Sequence, residues 1–180
     1  AEYKGVALKS PAEYGYTDAT IGSGTYQYER PSTEELIRWR LWKRTGGGLM
    51  VELGSHQLDA ASIFLAASNR RAALLRGEDP SKLPDNGKVH PLRVHVSANR
   101  NLFNFDREVQ DHITTLVEFP APNYDPSTPA GRRRTITVQY STINGNGFGG
   151  YGEIVFGTKG TIILEREQES QLLRGPSTSK

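Results

Sequence analysis

The chain contains no cysteine, which excludes a disulfide framework and any thiolate-held metal or cluster, and leaves the redox compartment open. It also lacks an excess of charge of one sign. The 22 basic and 20 acidic residues leave a formal +2, too little to suggest a nucleic-acid surface even with a pI near 8.9. No apolar run approaches the roughly 18 residues that a membrane span requires. Internal repeats are missing. The opening residues Ala1-Glu2-Tyr3-Lys4-Gly5 show neither the n-region nor the apolar core of a signal peptide, and no initiator methionine. The chain therefore reads as the trimmed or expressed part of something longer. What remains is ordinary for a soluble globular protein: 180 residues, 36% hydrophobic and 23% charged, enough for one well-buried domain and short for two.

Taken in order, residues 1–30 are an irregular segment rich in Tyr, Gly, Ser and Thr, with short strands expected at Val6 to Leu8 and Thr25 to Tyr28. Pro31-Ser32-Thr33-Glu34-Glu35 is a helix start, with Ser32 or Thr33 as N-cap and acids in the first turn. That helix is expected to reach about Lys43 and to stop at Gly46–Gly48. A second runs from the glycines to about Ala67, and a short third covers Arg70 to Arg76. Gly77 to Pro91, with three prolines and Asn86-Gly87, reads as loop. Beyond it the period changes to two. Val94 and Val96 share one face of Leu92 to Ala98. Ile113, Thr115, Val117 and Phe119 align within His112 to Phe119, and Ile136, Val138 and Tyr140 within Thr135 to Ser141. Glu153 to Phe156 and Thr161 to Leu164 flank a hairpin turn at Gly157-Thr158-Lys159-Gly160. Residues 165–180 read as a polar tail that frays at its end. Helices first and strands after predict an α+β domain: one open, predominantly antiparallel sheet with helices packed on one face.

The stretch that organises the rest is Gly46-Gly47-Gly48-Leu49-Met50-Val51-Glu52-Leu53-Gly54-Ser55-His56-Gln57-Leu58-Asp59. At about 100° per residue, Glu52, Ser55, His56, Asp59 and Ser62 share one arc of about 120°, with Leu49, Met50, Leu53, Leu58, Ala61, Phe64 and Leu65 opposite. Such a helix is either solvated along its polar stripe or lining a cleft. Two acids flanking an imidazole at one-turn spacing suit proton transfer, since a carboxylate one turn away can orient the imidazole or share its work. The glycines let a ligand or partner backbone come close.

Three other motifs carry less. Gly145-Asn146-Gly147-Phe148-Gly149-Gly150 matches the dinucleotide fingerprint in its letters, but that motif needs a helix after the glycines and Tyr151 to Phe156 reads as a strand. Arg132-Arg133-Arg134 follows a proline-rich loop without interleaved aromatics, and is expected to be solvated. Glu52, His56 and Asp59 have a spacing that suits a metal in principle, but His90, His95 and His112 fall on a loop and on strands elsewhere, so no metal site is expected.

The run from Gly46 to Asp59 resembles the G-G-G-x-L-x-D-x-G-x-H-x-x-D block of the glucose–fructose oxidoreductase / inositol dehydrogenase / MocA family. Arg107-Glu108-Val109-Gln110-Asp111-His112-Ile113 to Phe119 resembles that family's central strand with the acid just before it. Tyr151 to Leu164 resembles its G-x-x-G-T-K-G-T hairpin. The similarity spans Trp39 to Leu164 in the family's order and concerns the C-terminal half of these two-domain enzymes. It implies that residues 1–180 form one substrate-binding and oligomerisation domain. NAD or NADP would be bound in the intact protein by a Rossmann domain absent from this chain, and no cofactor here. By resemblance His56 is the catalytic acid/base and Glu52 its acidic partner, one methylene longer than the usual aspartate. Asp59 supports the site, and Trp39, Arg40 and Lys43 line the substrate pocket. The loop from Pro120 to Arg134 is longer than the family's tight turn, which suits a lid, an oligomer contact or a tolerated insertion.

The expected function is thus a share of a NAD(P)-dependent oxidoreductase acting on a sugar, polyol or related hydroxy compound. A homo-oligomer through the open sheet face is implied, with no nucleic-acid or membrane partner. The expected location is the cytoplasm, export being left open by a signal upstream. Two alternatives stand beside it: a stand-alone, non-catalytic binding or scaffold module, and a related lyase or NAD-dependent glycoside hydrolase.

Overall fold

The computed structural model describes residues 2–7, 9–14, 37–43, 45–103, 107–145, 150–166 and 168–175. The strand expected at Thr25 to Tyr28 and the helix start at Pro31 to Glu35 lie outside them. A small hairpin, β1 (Glu2–Tyr3) and β2 (Val6–Ala7), opens the chain where a short strand was expected.

The first expected helix does not continue to Lys43. It closes in a 3-10 turn at Trp39–Leu41, and Trp42 is already extended at φ −118°, ψ 138°. Long-range bonds take over the groups that another helical turn would use: the Leu41 carbonyl accepts from Glu108 N at 2.9 Å, and Lys43 N donates to Glu108 Oε2 at 3.0 Å. Trp42 is thereby drawn into the interior at 2% exposure.

The next helical stretch opens with a π-helical turn, Met50–Gly54, and passes into α1 (Ser55–Leu75). The expected break between Ala67 and Arg70 is absent. No glycine or proline interrupts residues 55–75, and Asn69 sends its amide to the Gly87 carbonyl at 2.8 Å instead of capping a new helix. α1 ends in a Schellman motif, with Glu78 N on the Ala73 carbonyl at 3.0 Å and Gly77 N on that of Leu74 at 3.1 Å.

Six strands follow, in two antiparallel sheets. The first has the order β3 (Arg93–Asn99), β4 (His112–Pro120), β5 (Thr135–Ile143). The second has the order β6 (Gly152–Gly157), β7 (Gly160–Glu165), β8 (Glu169–Arg174). The α+β class and the antiparallel pairing are as the periodicity implied. Among the described residues, however, the strands divide into two three-stranded sheets. β8 also replaces the fraying tail, because a tight reversal pairs Glu165 with Glu169 and sets Leu172 beside Ile162. The loop between β4 and β5 is ordered: α2 (Pro129–Arg132) is capped by Thr128 Oγ1, which accepts from Gly131 N at 2.9 Å.

Register decides the core. Val117 pairs with Val94 on one side and Val138 on the other, so these side chains share the face turned toward α1. Leu65 of α1 packs there with Val117 and Phe119, flanked by Val89, Ile136 and Val138. Each fully buried side chain of this size contributes about 1.5–3 kcal/mol. Ile113, Thr115, Val117 and Phe119 are all buried, whereas Val94 and Val96 on the same face remain 52% and 61% exposed. The helix covers β4 and leaves β3 uncovered.

Candidate functional site

The glycine-rich turn is shaped by the chain's own side chains. A Cβ on Gly46 would lie 2.7 Å from Glu52 Oε1, so only a residue without one lets the carboxylate settle against this backbone. The corresponding space beside Gly47 is taken by Val51, and beside Gly48 by Val109. Space that the sequence suggested for a ligand is filled from within.

Glu52 is held at its other oxygen by Arg40, whose Nε donates to Oε2 at 2.7 Å. The Arg40 guanidinium also lies over the Trp39 ring, 4.2 Å from its centroid. Glu52 Oε1 is buried with no hydrogen-bond partner among the described residues. Three of the expected site residues, Trp39, Arg40 and Glu52, are therefore one connected group. The longer glutamate side chain is what spans from the π-helical turn to Arg40.

His56 lies one turn further on, exposed, in the first turn of α1. No hydrogen bond joins it to Glu52 among the described residues. It lines an open cleft of about 380 Å³ with Gln57 of the same helix, Glu153 of β6, Leu164 of β7, and Glu169 and Ser170 of β8. The π-helical turn accounts for part of this separation. One extra residue per turn changes the phase of what precedes it relative to α1, and Glu52 becomes half-buried while Leu53, expected to be covered, is 56% exposed.

Asp59 is exposed, ion-paired to Lys88 at 3.5 Å and hydrogen-bonded to Ser62. Lys43 is exposed, and its backbone N–H donates to Glu108 Oε2. Neither lines the His56 cleft. Gly54 touches the sheet: a Cβ there would meet Tyr140 Oη of β5 at 2.6 Å, so this glycine lets the helix start approach β5.

The most complete polar arrangement is one for which the sequence offered only the family's acid before the central strand. Asp111 is 2% exposed; its Oδ1 accepts from Asn101 N at 3.0 Å, and its Oδ2 from Leu102 N at 2.9 Å and Phe103 N at 3.0 Å. His112 Nδ1 lies 2.5 Å from Oδ1. Burial pushes the carboxyl's pKa up, but His112 and the three backbone amides outweigh it and hold the group well below the usual carboxylate range. Asp111 is thus a fixed anion that ties residues 101–103 to the start of β4. Its geometry is structural, since each oxygen is already engaged.

Glu153, Glu169 and Ser170 were missed as cleft residues. Glu153 is an ordinary member of an alternating strand, and the other two sat in a segment read as a tail. Among the described residues no three His, Cys, Asp or Glu side chains converge on a point that could hold a metal. No helix among them is long and apolar enough to cross a membrane. Of the Gly145 to Gly150 motif, residues 146–149 lie outside the described residues; the strand β6 begins at Gly152, just after it. The fingerprint's own context is a helix after the glycines, and a strand stands in that place.

A family model described as GFO/IDH/MocA C-terminal domain matches residues 19–163. No curated protein and no solved structure matches the chain.

Proposed function

The chain belongs to the family of GFO/IDH/MocA oxidoreductase C-terminal domains, and from that premise we propose that it forms the substrate side of a NAD(P)-dependent oxidoreductase active site. The observation that carries the reading is the position of His56: it faces an open cleft at the start of a long helix, one turn beyond a carboxylate fixed by Arg40.

In this reading the cofactor belongs to a nucleotide-binding domain of the intact enzyme. The contribution of this chain is binding and proton transfer. His56 takes the hydroxyl proton of a bound sugar, polyol or related compound, or returns it in the reverse direction. Gln57, Glu153, Glu169 and Ser170 offer the donors and acceptors that a polyhydroxylated substrate requires. Glu52, pinned by Arg40, fixes the backbone turn that leads into the helix carrying His56. Trp39 stacks on Arg40 and gives that segment an aromatic surface. Assembly through the outer face of the first sheet, where Thr114, Leu116, Thr137 and Gln139 are exposed, belongs to the same reading.

The test is His56→Ala in the full-length protein that carries this domain. Turnover should fall by about 10²–10⁴-fold with cofactor affinity unchanged. Unchanged turnover would remove His56 from the reaction.

A further inference from the structure

We propose that the cleft beside His56 selects a substrate bearing a protonated amino group, an amino sugar or amino polyol, over its uncharged or phosphorylated counterpart, and that Glu153 and Glu169 receive the ammonium. The inference rests on the reading of this cleft as the substrate site and adds a charge requirement to it.

The requirement follows from which residues the second sheet brings to the helix. Register sets Glu153 of β6 opposite Leu164 of β7, and Leu164 opposite Ser170 of β8. Cross-strand partners project from the same face, so these three form one row along the cleft. Glu169, at the start of β8, adds a second carboxylate, and His56 and Gln57 contribute from α1. Among the described residues the lining thus holds two carboxylates and an imidazole, with neither lysine nor arginine. Arg166, the cation of the turn before β8, lies against Gly150, where a Cβ would come within 2.8 Å of its Nε. A phosphate entering this cleft meets two charges of its own sign, whereas an ammonium meets two of the opposite sign.

A second observation concerns the pairing of β7 with β8. Glu169 stands directly opposite Glu165 across the reversal. Like charges so placed weaken a strand pair, and nothing in the packing of these exposed positions calls for them. Local rules broken in this way belong to functional sites, and a bound cation relieves the repulsion.

The carboxylates suit an ammonium better than a metal. Among the described residues no three acidic or histidine side chains converge on one point, as a metal would need. An ammonium sends three N–H donors in different directions and accepts separated partners. Leu164, between Glu153 and Ser170, offers apolar surface to ring carbons, while Gln57 and Ser170 serve neutral hydroxyls. His56 stays on the helix side for the hydroxyl whose proton it moves. The charge-selecting groups and the proton-moving group therefore come from different elements of the fold.

The experiment is isothermal titration of the full-length protein that carries this domain, at about pH 6.5, where an amine is protonated. The probes are glucosamine with glucose, galactosamine with galactose, the two N-acetylated amines, and glucose 6-phosphate. In at least one pair the amine should bind about tenfold or more tightly than the hydroxy sugar. N-acetylation, which removes the charge, and Glu169→Gln should each erase that gain, and the phosphate should bind most weakly. No gain in either pair, a gain that survives N-acetylation or Glu169→Gln, or a phosphate bound as tightly as the amine overturns the proposal. His56→Ala separates this inference from the reading it rests on, because the preference should persist in that variant. A preference found together with unimpaired His56→Ala turnover removes the proton-transfer role alone. Lost turnover with no preference for the amine removes the charge requirement alone.

Discussion

Glu52 and Arg40 meet at 2.7 Å, and they do so because the acid is a glutamate. The carboxylate leaves a π-helical turn, crosses to the guanidinium with one oxygen, and lays the other against Gly46. An aspartate at this position is one methylene shorter and cannot make both contacts from the same backbone.

Glu52→Asp should therefore behave as a broken pair and not as a conservative change. Both Glu52→Asp and Arg40→Ala leave a half-buried charge poorly compensated. With Arg40 68% exposed, the expected loss is about 1–2 kcal/mol. Urea denaturation of the two variants and of the double variant measures it. A double variant that loses the full sum of the single losses would show that the two residues are not coupled.

Gly46→Ala should act on the same pair from the other side. Its Cβ would lie 2.7 Å from Glu52 Oε1 and 3.1 Å from both the Arg40 Cα and the Trp39 carbonyl oxygen. The side chain can retreat but the backbone cannot, so a cost of about 1–3 kcal/mol is expected. Thermal unfolding reads it, and a melting point equal to the wild type's would argue against the close approach.

Thr115→Val should stabilise the fold. Thr115 is 2% exposed in the apolar stripe between Ile113 and Val117, and its hydroxyl has no hydrogen-bond partner among the described residues. Replacing it with a methyl of the same shape removes a desolvation cost of about 1–2 kcal/mol. A rise of several degrees in melting temperature is the expected result.

Asp111 links stability to pH. Its native carboxyl is held below the value it has in the unfolded chain, about 3.9 for an ordinary aspartate. The unfolded state therefore takes up the proton first as the solution is acidified. The stabilisation is complete above that value, and is lost progressively as pH falls toward the lower native one. Asp111→Asn should cost about 2 kcal/mol at pH 7, and the gap to the wild type should narrow below about pH 4. A gap that stays constant from pH 7 to pH 3 would show that the anion is not what holds residues 101–103.

Several features were legible from residue order. The alternation of Ile113, Thr115, Val117 and Phe119 specified both the strand and its buried face. Thr158-Lys159 marked a hairpin, and the strand pattern after Gly150 marked β6. The run from Gly46 to Asp59 announced a helix with a polar stripe and, by resemblance, the family. Each of these depends on neighbours a few residues apart, where backbone geometry and side-chain direction are coupled.

What the tertiary structure decided lies at longer range. Trp42 leaves the helical path because Glu108, 65 residues beyond Lys43, takes its neighbours' backbone groups. The polar stripe is split by a π-helical turn, so Glu52 turns to Arg40 while His56 faces residues of three strands. A tail becomes β8 once Ile162 and Ile163 offer it an edge. Val94 and Val96 announce a buried face that α1 does not reach. Periodicity determines which way a side chain points. Whether another part of the chain stands there depends on loop closure and packing, and one local pattern does not contain either.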